Sequence, residues 1–183
     1  MEIFDIVDEN GLPTGKTIER TEAHAKGIRH RTAHIWVTRR EGGKLQVLLQ
    51  KRSLDKDSFP GGLDTSSAGH IQVGDEPLES AIRELGEELD IHAAPEDLIP
   101  IGTFVVSLQE EFHGKPFLDE EIAFVFVYEK PVDISTLTLQ ASELDSVEWH
   151  DYDEALHATV TGDPAYVIPY DGLLTVGRYY GLA

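Results

Sequence analysis

Three glutamates, Glu84, Glu87 and Glu88, stand at positions i, i+3 and i+4 of one stretch of chain. On a helix that spacing brings the carboxylates toward one face. Like charges so placed repel by roughly 0.2–0.5 kcal/mol per pair in water, and by more where they are partly buried. A hard divalent cation such as Mg2+ relieves the repulsion, because it takes oxygen ligands. Arg83 can orient a neighbouring carboxylate through a two-pronged pair. A solvated acidic helix face has the same residues, so the triplet alone decides little.

The residues around the triplet say more. Leu78, Ile82, Leu85 and Leu89 recur at the spacing of a helix packed on a core, which predicts a helix over Pro77–Leu89. Asp75 and Glu76 give it an acidic start, and Pro77 suits a first helical turn. The whole segment GHIQVGDEPLESAIRELGEELDI, Gly69 to Ile91, resembles the Nudix box. Gly69, Arg83, Glu84, Leu85, Glu87, Glu88 and Ile91 match that motif in register. Asp75 stands where the box has its first glutamate, and Asp90 where it has its second glycine. A left-handed residue ends the helix at that glycine, and Asp tolerates the conformation better than most residues.

The wider chain resembles the branch of the Nudix superfamily that contains type I isopentenyl diphosphate isomerase. Lys51 to Lys56, continuing through Phe59-Pro60-Gly61, is similar to the stretch in which that isomerase binds diphosphate. Ala68-Gly69-His70 is similar to its Cys-Gly-His, and His24, His30 and Glu121 to further metal-binding positions. The resemblance implies a Nudix α/β/α sandwich with a mixed β-sheet and a metal-dependent hydrolase acting on a diphosphate bond. It implies a catalytic set of Arg83, Glu84, Glu87, Glu88 and Glu121, with the four glutamates holding Mg2+ or Mn2+. Arg52 and Lys56 are then the phosphate-binding residues, and His24, His30 and His70 secondary metal ligands. Ala68 and Ala165 replace the isomerase's cysteine and tryptophan. A methyl group cannot move a proton, which disfavours isomerisation. Two alternatives to the hydrolase stay open at this point, an isomerase-like enzyme and a non-catalytic metal- or nucleotide-binding module.

The elements that must carry these residues fit one domain spanning 1–183. Apolar β-prone runs predict strands at Ile3–Val7, over His34–Thr38, at Leu45–Gln50 and near Ile99–Leu108, Ile122–Tyr128 and Val147–His150. Helices are expected in Asp151–Thr159 and Tyr170–Tyr180, completing an α/β pattern. With no cysteine the chain cannot use thiol catalysis, thiolate metal sites or disulfides. A net charge of −19 argues against a nucleic-acid polymer as partner. Yet eleven of the fifteen Lys and Arg precede residue 57, which suits a small anionic substrate. No apolar run approaches the ~18 residues of a membrane span. The start MEIFDIVDEN lacks the order of a signal peptide, so the cytoplasm is the default expectation. Trp36, Phe59, Phe117 and Tyr166 could stack on a nucleobase, although such residues more often belong to a core. A nucleoside diphosphate derivative is the broad expectation, and kinship with the isomerase branch leaves an isoprenoid diphosphate open. The sequence leaves the attached group and the oligomeric state open.

Overall fold

The computed structural model describes residues 1–56, 58–112 and 114–182. The chain runs β1 (Ile3–Val7), β2 (Pro13–Glu19), α1 (Arg20–Lys26), β3 (His30–Glu41), β4 (Lys44–Arg52), β5 (Leu63–Asp64) and β6 (Ser67–His70). It continues through α2 (Pro77–Leu89), β7 (Leu98–Phe112), β8 (Lys115–Tyr128), β9 (Leu144–Asp151), α3 (Tyr152–Thr161) and α4 (Tyr170–Tyr179). β1 and β2 form a separate hairpin. The main sheet has the order β5-β4-β3-β8-β7, with β6 added to β3 and β9 to β4.

β3 organises the molecule. Along one edge it pairs antiparallel with β6 through Thr32–Ile35 and then with β4 through Thr38–Glu41. Its other edge runs parallel to β8 from His30 to Val37, which makes the sheet mixed. Being central, it is buried without a break from His30 to Thr38. The strand begins four residues before the predicted start at His34. His30, Arg31 and Thr32 are polar, but tertiary partners accept them into the sheet.

Alternation along the strands divides the interior into two cores. Ala33, Ile35, Val37 and Leu48 pack with Ala81, Leu85 and Leu89 of α2 on one face. Trp36, Val47, Leu49 and Val125 pack with Tyr152 of α3 and with Leu173 and Val176 of α4 on the other. The result is an α/β/α sandwich, as expected. Besides the two-residue β5, α1 and β6 had no clear signal. α1 has only seven residues and no apolar stripe, and is held by the Glu19 side chain at its start and left-handed Gly27 at its end. β6, with the sequence SAGH, has weak strand propensity and exists because β3 offers it an edge.

α2 spans the predicted residues, with Leu85 and Leu89 fully buried. It ends on Asp90 in the left-handed conformation, φ 57° and ψ 29°. The Asp90 N–H bonds to the Gly86 carbonyl, and that of Ile91 to Leu85. A non-glycine residue there carries a steric cost of about 1 kcal/mol. Asp90→Gly is therefore expected to stabilise the fold by about 0.5–1 kcal/mol, read as a higher urea midpoint. The lost contact with His92 lies at the surface and contributes little. A lowered midpoint would show that Asp90 is there for its side chain.

Candidate active site and metal centre

Two groups of side chains able to hold a metal meet at β6. Its four residues alternate, so Ser67 and Gly69 face α2 while Ala68 and His70 face the opposite side. Register confirms the second pair's surroundings: Ala68 lies opposite His34 of β3, and His70 opposite Thr32.

On the α2 side, the Glu84 carboxylate rests on bare backbone at Gly69. A Cβ at that glycine would lie 2.2 Å from the Glu84 carboxyl carbon. Glu88, one helical turn on, is only 4% exposed, and its Oε2 has no hydrogen-bond partner. Burial raises the Glu88 pKa to about 8; Ser67 and the Ala68 backbone oppose the shift, while Glu84 and Glu143 add to it. Burial also raises Glu84, against the pull of Arg83. Arg83 Nη1 lies 2.8 Å from Glu84 Oε1 and 3.2 Å from Glu87 Oε2, and Nη2 donates to the His70 carbonyl at 3.4 Å. The sequence predicted three converging carboxylates. Glu84 and Glu88 do turn inward together, but Glu87 is exposed and paired with Arg83, because i+3 falls on the far side of Glu84 from i+4.

On the other face, His24 of α1, His30 of β3, His70 of β6 and Glu121 of β8 offer ligand atoms that all lie within 4.8 Å of one another. Glu121 pairs with His30 across the parallel register. Glu121 Oε1 is 3.6 Å from Nε2 of both His30 and His70. The ring orientations follow from backbone contacts: His24 Nδ1 bonds to the Arg20 carbonyl and His30 Nδ1 to that of Ile28, each at 2.9 Å. Thr32 Oγ1 donates to Glu121 Oε2 at 3.0 Å. Glu121 thus stands with the histidines rather than among the box carboxylates.

Asp119 was not foreseen. Its Oδ1 is 3.5 Å from His24 Nε2 and 3.8 Å from His30 Nε2. The available signal was its position two residues before Glu121, which gives both acids one face of a strand. His30 Nε2, His70 Nε2 and Asp119 Oδ1 are buried without hydrogen-bond partners. Burial holds His70 neutral, with its pKa down to about 3. Burial would raise Glu121, but the facing histidines hold it well below the usual carboxylate range. For His30 burial is outweighed by the Glu121 carboxylate, and its pKa is raised. Unpartnered nitrogens beside ionised carboxylates, with the remote ring nitrogens tied to carbonyls, fit a divalent cation. The unpartnered Glu88 Oε2 beside Glu84 fits a second, in an oxygen-only setting.

Arg52 has its guanidinium engaged by Asp64 at 3.1 Å and by the Ser58 carbonyl, so it braces the turn from Arg52 to Gly62. Lys56 pairs with Glu143, one of the acids that acts on Glu88. Ala165 is exposed, its carbonyl accepting from the Leu63 N–H. Trp36 belongs to the core, and Tyr166 packs against it. Phe59 and Phe117 each meet Phe112 edge-on, and Phe117 stacks on His24 at 4.7 Å.

The model of the NUDIX domain matches residues 28–170. A Nudix hydrolase of Clostridium acetobutylicum is 43% identical over 143 residues, 78% of this chain, and this chain spans 66% of its length. An isopentenyl-diphosphate Delta-isomerase of Pectobacterium atrosepticum is 30% identical over 149 residues, 81% of this chain and 76% of that protein. Among solved structures, a Deinococcus radiodurans protein superposes with a TM-score of 0.70 at 20% identity, covering 97% of this chain and 99% of its own. With its box residues set around β6 and its sandwich fold, the chain belongs to the Nudix hydrolase family.

Proposed function

We propose that the chain is a metal-dependent hydrolase cleaving the diphosphate bond of a small, nucleoside diphosphate-linked substrate. The observation that carries this reading is the buried, unpartnered Glu88 carboxylate beside Glu84, with the histidine cluster on the other side of β6. Glu84 and Glu88 would hold Mg2+ or Mn2+, and exposed Glu87 would join them only on leaving Arg83. His24, His30, His70, Asp119 and Glu121 would hold a further ion. Bound there, such ions supply Lewis-acid stabilisation of phosphoryl oxygens and lower the pKa of water. Arg83 holds Glu84 in place and Arg52 shapes its turn. Lys56 can exchange Glu143 for a substrate phosphate, adding charge where oxygens gain it in the transition state. The nucleoside preference draws on two solved Nudix neighbours, a Caenorhabditis elegans Ap4A hydrolase and a Shewanella oneidensis domain complexed with ADP ribose, with which this chain shares only the fold.

The test is a panel of nucleoside diphosphate derivatives and isoprenoid diphosphates with Mg2+ or Mn2+. Hydrolysis at the diphosphate that stops in chelator is expected. Binding of these compounds without turnover under any metal would instead make the chain a binding module. A second reading, isomerisation of isopentenyl diphosphate, gains from the histidine cluster and the isomerase relative. Ala68 weighs against it, since the chain has no cysteine to replace the thiol. No dimethylallyl diphosphate is expected, and its efficient formation would reverse the ranking.

A further inference from the structure

β1 supplies no ligand, yet it touches both halves of the site. Phe4 is fully buried. Its ring lies nearly parallel to two imidazoles, 4.8 Å from His30 at 12° and 4.7 Å from His70 at 15°. Asp5 points the other way. Its Oδ2 accepts from Arg31 Nη2 at 3.2 Å and from the Gly74 N–H at 3.0 Å. Arg31 Nη2 donates in addition to the Asp75 carbonyl at 3.1 Å, and the Val73 N–H donates to the Ile3 carbonyl at 2.8 Å. These contacts hold the connection that leads from His70 into the first turn of α2. The two directions have one cause: successive residues of a strand point to opposite sides, so Phe4 and Asp5 meet His30 and Arg31, which alternate in the same way on β3.

We infer that Phe4 and Asp5 are positioning residues, Phe4 setting the plane of His70 and bracing that of His30, and Asp5 fixing the entry to the box helix. Backbone carbonyls already orient His24 and His30. For His70 no such ring–carbonyl bond is present among the described residues, and packing against Phe4, His24 and His30 does that work. A misplaced imidazole loses metal affinity without losing a ligand, and supporting contacts of this kind are typically worth about 10–100-fold. Both residues precede the matched segment 28–170, so this hairpin would complete a site that the matched segment does not hold by itself. The inference rests on the reading of the histidine cluster as a metal site.

Co2+ titration followed by visible absorption tests it, since the spectrum reports ligand geometry. Wild type is expected to give a saturable spectrum that His30→Ala abolishes. Phe4→Leu should shift its bands and weaken binding about tenfold. Phe4→Met, which suits an irregular gap, is measured in parallel in case Leu does not fold. Asp5→Asn should keep the Co2+ spectrum and raise severalfold the Mg2+ needed for half of the Mg2+-induced rise in melting temperature. Val176→Ala, in the distant core, controls for lost stability and should leave both readouts in place. Folded Phe4 variants with wild-type spectra and affinity would overturn the role of Phe4, and an unchanged Mg2+ requirement that of Asp5. A wild-type chain giving no His30-dependent spectrum would overturn the metal reading of the cluster, and the role of Phe4 with it.

Discussion

Glu88→Gln should lower turnover by roughly a hundredfold or more, about 3 kcal/mol of transition-state stabilisation, and yet make the metal-free protein more stable. Both effects follow from one carboxylate that is 4% exposed with an unpartnered oxygen. Burial raises its pKa from the usual 4.5 to about 8. Between those values the folded protein keeps a proton that the unfolded chain gives up. Unfolding then releases a proton, and the metal-free fold loses stability as pH rises from about 4.5 to about 8. Glutamine resembles the neutral acid and pays no such penalty. At pH 8 the variant is expected to exceed wild type by a margin on the order of 1–3 kcal/mol, shrinking as pH falls toward 5. Saturating Mg2+ should narrow the gap, because it stabilises only the chain that binds it. Kinetics and pH-dependent melting check the two halves separately. Turnover within tenfold of wild type would remove Glu88 from the metal site, and a pH-independent stability difference would show that its charge is not confined.

The box helix was legible because its signals are local. The Leu78–Leu89 stripe, the proline start and the glutamate spacing all lie within one segment, and the register of a helix follows from sequence alone. Asp90 could likewise be read as a left-handed terminus. The histidine centre is different. Its residues come from α1, β3, β6 and β8, and are joined by strand pairings whose register no single segment specifies. His24, His30, His70 and Glu121 were reached through resemblance, whereas Asp119, outside the matched motifs, went unnoticed. Arg52 and Lys56 were visible as cations, but Asp64 meets Arg52 only once the intervening turn has folded, and Glu143 is distant in sequence from Lys56. Through those partners Arg52 braces a turn, an arrangement that the positive charge alone did not reveal. Burial separated Glu87 from its two neighbours, and burial follows from packing against β6 rather than from helical spacing.

Gly69→Ala should cost turnover nearly as much as removing Glu84, although it adds one methyl group to a residue that binds nothing. The new Cβ would stand 2.2 Å from the Glu84 carboxyl carbon and 2.3 and 2.6 Å from its oxygens, far inside contact distance. The side chain must swing away, giving up Arg83 and its place beside Glu88. Backbone strain does not explain such a loss, since Gly69 is not among the glycines with positive φ. Strand propensity favours alanine, and the facing residue Ala33 is small. The fold should therefore survive with its melting temperature little changed. The expected fall in kcat is roughly a hundredfold, about 3 kcal/mol. Co2+ binding at the histidine cluster should persist, because His70 points to the other face of β6. A double-mutant cycle assigns the cause. In a Glu84→Ala background the clash has no partner, so adding Gly69→Ala should lower activity by less than about twofold further. Full additivity of the two losses would mean that Gly69 serves the reaction by some route other than making room for Glu84.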